Sequence, residues 1–232
     1  MRFLVSLLLL ISFFISFSQK NNVDNKYLED QFYLGLYYST LTSSPENFNQ
    51  NKFSSTLNFG FIRDFPFNEQ RNFGVGVGVG LSLSSSNSNL KLSDLNSSVS
   101  GEIVNGADFT KNKWNTTKIE FPFEVRWRTS TPTSYKFWRV YFGVKTSYLL
   151  KSKYKYESLN SNYTLENLPF RKTQSGITVN AGNNTWNLGL YMGLNPIFNK
   201  EFGQNNPNLK DLKEFKLGLV FYILWFYTYK NY

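Results

Sequence analysis

The sequence predicts an all-β protein, an eight-stranded antiparallel transmembrane β-barrel with short periplasmic turns and longer extracellular loops. Three observations carry this. After an apolar leader the chain breaks into segments of about ten residues in which apolar side chains alternate with polar or small ones, the period of a strand with one face in lipid. The connections between segments alternate short and long. Trp127, Trp138, Trp186 and Trp225 all share the apolar parity and fall at the same end of their strands, where an interfacial aromatic belt belongs. A secreted β-sandwich would also alternate apolar and polar residues, but it has no reason to gather tryptophans at one end.

Residues 1–18 read as a signal peptide. Arg2 supplies the positive n-region, Phe3 to Phe17 the apolar region, and Ser16-Phe17-Ser18 a small-x-small cleavage site before Gln19. Residues 19–29 then form a short periplasmic segment and 30–232 the outer-membrane barrel domain. No later run reaches the ~18 apolar residues of a helical span.

The first strand sets Phe32, Leu34, Leu36 and Tyr38 against Tyr33, Gly35 and Tyr37. The second sets Leu57, Phe59 and Phe61 against Thr56, Asn58 and Gly60, and the third Phe73, Val75, Val77, Val79, Leu81 and Leu83 against glycines and serines. In the fourth, Ile119, Phe121, Phe123, Val125 and Trp127 alternate with Lys118, Glu120, Pro122, Glu124, Arg126 and Arg128. The fifth sets Trp138, Val140, Phe142, Val144, Tyr148 and Leu150 against Arg139, Tyr141, Gly143, Lys145 and Ser147. The turn signal Gly182-Asn183-Asn184 divides the next stretch into a sixth strand with Ile177, Val179 and Ala181 and a seventh with Trp186, Leu188, Leu190, Met192 and Leu194. Phe215 to Trp225 make the eighth. The short connections (64–71, 129–135, 182–185) become periplasmic turns, and the long ones (40–52, 85–116, 152–170, 198–213) outer loops. The Asn/Ser-rich segment from Ser84 to Asn115 reads as a solvated loop.

The chain has no histidine and no cysteine, which excludes His-dependent nucleophilic triads, thiolate chemistry, disulfides and the usual zinc sites. No enzymatic activity, cofactor, metal, nucleic acid or small-molecule substrate is expected. Gly74-Val75-Gly76-Val77-Gly78-Val79-Gly80 has the G-x-G spacing of a nucleotide loop, yet it is itself a strand and opens no helix. Its glycines face inward and clear space for long side chains. Glu120 and Glu124 are ~13 Å apart along one strand, too far for a glycosidase-type pair. They fit instead an interior ion network with Lys118, Arg126, Arg139 and Lys145 that fills an eight-stranded lumen.

The formal net charge is +9, and Arg63, Arg71, Arg126, Arg128 and Arg139 cluster near the periplasmic ends of strands. Some complete the interior network and others meet anionic headgroups. The sharper alternative is a periplasmic rim for a protein partner, with Arg63, Arg71, Arg128 and Lys136 as its contacts. Pro122 inside a strand removes a ladder donor and has no account from the sequence.

Several stretches resemble the PorT family of small outer-membrane barrels, whose gliding-bacteria members are also called SprT. They are YLEDQFYLGL at 27–36, GFIRDFPFNEQRNFGVGVG at 60–78, FPFEVRWRTSTPTSYKFWRVYFGVK at 121–145, NTWNLGLYMGLNPIF at 184–198 and KLGLVFYIL at 216–224. The resemblance implies an eight-stranded fold and a non-enzymatic role in protein secretion through the type IX system, covering cargo export and gliding adhesin delivery, through assembly or periplasmic partner contact. It implies no catalytic residues. Expected partners are outer-membrane lipid and other type IX components on the periplasmic side. The alternative is a free-standing structural or adhesive barrel working through its extracellular loops.

Overall fold

The computed structural model describes residues 30–50, 52–95, 98–129 and 137–225. The leader, the 19–29 segment and Lys136 lie outside the described residues. The strands are β1 (Asp30–Thr42), β2 (Ser55–Pro66), β3 (Phe73–Asn87), β4 (Leu90–Leu95), β5 (Ser98–Ile103), β6 (Lys111–Arg128), β7 (Trp138–Glu157), β8 (Asn162–Glu166), β9 (Thr173–Asn183), β10 (Trp186–Gly193) and β11 (Lys213–Trp225). Eight of them close into an antiparallel barrel in the order β1, β2, β3, β6, β7, β9, β10, β11. The seam is β1 against β11, paired from Asp30 opposite Trp225 to Thr42 opposite Lys213. All eight strands expected from the alternation are present. Closure pairs both edges of each of the eight barrel strands, which is what allows strands to cross a bilayer. Among the described residues no helix is long and apolar enough to do so.

The outward face is apolar from strand to strand, with Phe32, Leu36, Phe59, Val77, Phe121, Phe123, Phe142, Leu188 and Leu219 all exposed. Exposed apolar surface on this scale belongs in lipid. Trp127, Trp138 and Trp186 are exposed at the turn-bearing end, and the backbone of Trp225 ends β11 there; the Trp225 side chain is outside the described residues. Short turns close this end. Asn184 takes φ 55° between β9 and β10, a left-handed conformation that asparagine tolerates well.

Pro122 now has a local setting. The β3–β6 pairing runs from Val77 opposite Phe123 to Gly80 opposite Glu120 and lapses between, where the missing N–H of proline would otherwise have been required.

The outer loops differ from expectation. The 84–115 segment holds the β4–β5 hairpin, and β8 extends the sheet beside β7. These elements gather an apolar cluster of Leu90, Leu92, Trp114, Leu149, Tyr154, Tyr156, Leu168, Phe170, Ile197, Phe198, Phe202, Leu209 and Leu212. The segment is therefore not simply solvated: it folds back over the barrel mouth. Phe170 stacks on Phe198 at 5.2 Å and Phe198 on Phe202 at 4.2 Å. Phe202 belongs to a short helix, Lys200–Asn205, whose Phe202 N–H is capped by the Asn199 side chain at 2.8 Å. The Tyr163 hydroxyl donates to Leu92 O at 2.8 Å, and the Leu92 N–H donates to the Tyr154 hydroxyl at 3.1 Å. These two bonds tie β8 and the barrel extension of β7 to the β4–β5 hairpin.

Candidate functional site: the charged lumen and the periplasmic rim

Inward parity on β6 and β7 carries long charged side chains into a lumen too narrow for water to solvate them freely, so they must pair with one another. Lys118, Glu120, Glu124, Arg126, Arg139 and Lys145 are all buried. Near the periplasmic end, Arg126 reaches Glu124 Oε2 through Nε and Nη2, both at 3.2 Å. Its guanidinium also sits 4.5 Å over the Tyr141 ring. The Asn180 amide donates to Glu124 Oε1 at 3.3 Å. Higher up, Lys145 Nζ lies 3.2 Å from Glu120 Oε2, a close ion contact without hydrogen-bond alignment, while the Asn58 amide approaches Glu120 Oε1 at 3.4 Å.

Two acids that the sequence reading missed organise the rest. Asp64 on β2 is completely buried and accepts from Arg128 at 2.6 Å and 2.9 Å and from Arg126 at 3.3 Å. Glu214 at the start of β11 pairs with Lys118 at 2.7 Å and with Lys216 at 3.0 Å. Lys118 therefore joins a mouth cluster, with Gln174 as a further acceptor at 2.6 Å, rather than pairing with Glu120. The sequence places Asp64 at the start of the 64–71 turn, but β2 runs on to Pro66, so Asp64 continues the inward parity of Asn58 and Ile62; its partners lie two strands away across β3.

Among the described residues Arg139 joins no acid. Its guanidinium lies 4.5 Å over Phe137 and 5.4 Å over Tyr222, and its Nε and Nη1 have no hydrogen-bond partner. Cation–π contact supports it instead.

The proposed rim is corrected at one position. Arg128 is not on the surface: it is 1% exposed, clasped bidentately by Asp64, with Nε donating to Arg71 O at 2.8 Å. Bidentate guanidinium–carboxylate geometry holds such a side chain inside. Arg63 is exposed on the outward face of β2, and Arg71 is half-buried in the β2–β3 turn with φ 54°. The glycine run does clear lumen space. A Cβ on Gly76 would strike the Arg126 guanidinium, and one on Gly80 the Tyr33 hydroxyl.

Among the described residues no cluster of acidic side chains could hold a metal. A cavity of about 20 Å³ lies beneath the cap, lined by Ser39, Thr56, Ser84, Thr116, Lys118 and Glu214. That is room for about one water.

The family model described as "Outer membrane protein beta-barrel domain" matches residues 17–199. The chain belongs to this family. Its members' setting, the outer membrane, agrees with the closed barrel and its apolar belt. No curated protein matches the chain. Among solved structures it is similar to Ail, the attachment invasion locus protein of Yersinia pestis, in complex with the heparin analogue sucrose octasulfate. That likeness has 13% identity and a TM-score of 0.38, covering 84% of this chain and 99% of that one. A mutant of the Rh. blastica porin is similar at 8% identity and a TM-score of 0.20, with the same coverage. At these scores neither likeness bears on function.

Proposed function

We propose that this outer-membrane barrel is a non-enzymatic component of protein secretion through the type IX system, serving cargo export and adhesin delivery by assembly or contact with a periplasmic partner. The filled lumen carries the reading. Arg126, Arg128, Arg139, Glu124 and Lys145 occupy the interior, and a lumen filled by buried side chains conducts no polypeptide, so a role in secretion would run through contact. The resemblance at 60–78 and 121–145 supports it, since both stretches bracket periplasmic turns. With Arg128 buried, Arg63 and Arg71 remain as the rim contacts to test.

The experiment is a gene deletion followed by a census of surface and secreted proteins, then complementation with Arg63→Glu/Arg71→Glu. The deletion should abolish export of large cargo, and the variant should insert normally but restore less than a tenth of it. Unchanged export in the deletion strain removes the type IX reading. Full restoration by the variant removes the rim alone.

The folded cap favours a second reading, a free-standing structural or adhesive barrel acting through its extracellular surface. Its mark would be normal cargo export with altered envelope integrity or adhesion after deletion.

A further inference from the structure

Above the apolar belt the β6–β7 hairpin continues outward, and its exposed face changes chemistry within one residue. Tyr148 and Leu150 end the apolar side of β7, and Lys151, Lys153 and Lys155 follow, all exposed. A register shift makes this possible. Lys118 is opposite Leu149 but Thr117 is opposite Lys151, which leaves Leu150 as an extra residue. Such a bulge exchanges the two faces of a strand beyond it, turning the lysines outward and Tyr154 and Tyr156 into the cap.

On β6, Lys111 and Lys113 share the outward face, with Lys113 directly opposite Lys155. Like charges in that position oppose strand pairing. Two acids answer five lysines. Glu157 lies 2.8 Å from Lys111 and 2.6 Å from Lys155, and Glu166 lies 3.5 Å from Lys153. Among the described residues Lys113 and Lys151 have no acidic partner, so the face keeps a surplus of three positive charges.

We propose that this stripe binds the phosphate groups of anionic glycolipid in the outer leaflet. The occupant follows from position. Lys151 is adjacent to lipid-facing Leu150, and alternate lysines rise ~7 Å apart from the belt, through the depth where headgroups sit. Ammonium groups on flexible stems suit phosphates as point-charge partners. Lysines near an anionic surface each contribute about fivefold in affinity, so three should give about 100-fold.

The test uses the folded, full-length barrel in neutral detergent, with bisphosphorylated lipid A and its dephosphorylated form as probes and retention read by native mass spectrometry. The protein should retain the bisphosphorylated lipid about 100-fold more tightly than the K113Q/K151Q/K153Q variant, with heat-modifiable migration unchanged between the two. Equal retention by the variant overturns the proposal. So does equal retention of dephosphorylated lipid A by the unaltered protein, a comparison that needs no variant and would leave only belt contact. Displacement of lipid A by stoichiometric soluble sulfated polysaccharide would overturn it in favour of a glycan partner.

Discussion

The two ends of this barrel are closed by opposite chemistries. At the periplasmic end the lumen is filled by Asp64, Glu124, Arg126 and Arg128 in mutual ion contact. At the outer end the mouth is covered by Leu92, Trp114, Phe170, Phe198 and Phe202 in apolar contact. The difference concerns tolerance. An apolar cluster loses stability in proportion to the volume removed, so its side chains can be exchanged gradually. A buried ion network fails when one partner is removed, because the remaining charge stays desolvated. The end nearer the periplasm is therefore the more exacting in sequence, and the cap the more adaptable.

The comparison breaks most clearly at Asp64. Asp64→Ala leaves two buried arginines without their shared acid, and should cost about 3 to 5 kcal/mol or more. Its readout is a lower urea midpoint for the transition of the unheated, fast-migrating barrel. Replacing Asp64, Glu124, Arg126 and Arg128 together by leucine and methionine should recover much of that loss, since no member of the network is then left as an unpaired charge. An Asp64→Ala barrel as stable as the parent would refute the network's importance.

Phe198→Ala comes next, at about 3 kcal/mol, but the loss should stay in the cap. Limited proteolysis should cut the 196–212 segment while the barrel core keeps its heat-modifiable migration. Loss of the whole barrel would show that cap and lumen fold as one unit.

The smallest effect belongs to the exposed tip of β7. Hydrogen bonds from Lys111 and Lys155 hold the Glu157 carboxyl down to about 2, against 4.5 for the free group. A depressed acid stabilises the fold above the unfolded value, so this contribution is present above about pH 4.5 and disappears as pH falls toward 2. Amide protection factors at Asn112 and Tyr156, exchange rates taken relative to the intrinsic rate at each pH, should fall over that window, and Glu157→Gln should flatten the change.

Much of the membrane-spanning structure was legible because each strand carries its own evidence. Alternation in Ile119 to Trp127 needs no partner to be read. The network was legible only in part. Inward parity assigns Arg126, Lys145 and Glu120 to the lumen, and all three are buried; the assignment of Arg128 to the rim set aside the same parity that Arg126 obeys. Its acid, Asp64, lies 64 residues earlier, and pairing over that distance leaves no local pattern. The cap was the least legible. Leu90 and Leu92 stand in an Asn/Ser-rich segment, and their partners Phe198, Phe202 and Leu209 lie in a different loop with no shared period.

The seam between β1 and β11 also sets an order of events. Asp30 meets Trp225 and Thr42 meets Lys213, so neither strand can complete its ladder until nearly the whole chain has arrived. Until then the nascent sheet carries two open edges, each a template for the wrong partner, and contacts of such long separation are slow to form. A chain cut short before Lys213 would hold nearly every residue of the lumen network and still be left an open, adhesive sheet. Completion of the last strand is thus the committing step of assembly, and the hazard of aggregation falls in the interval before it.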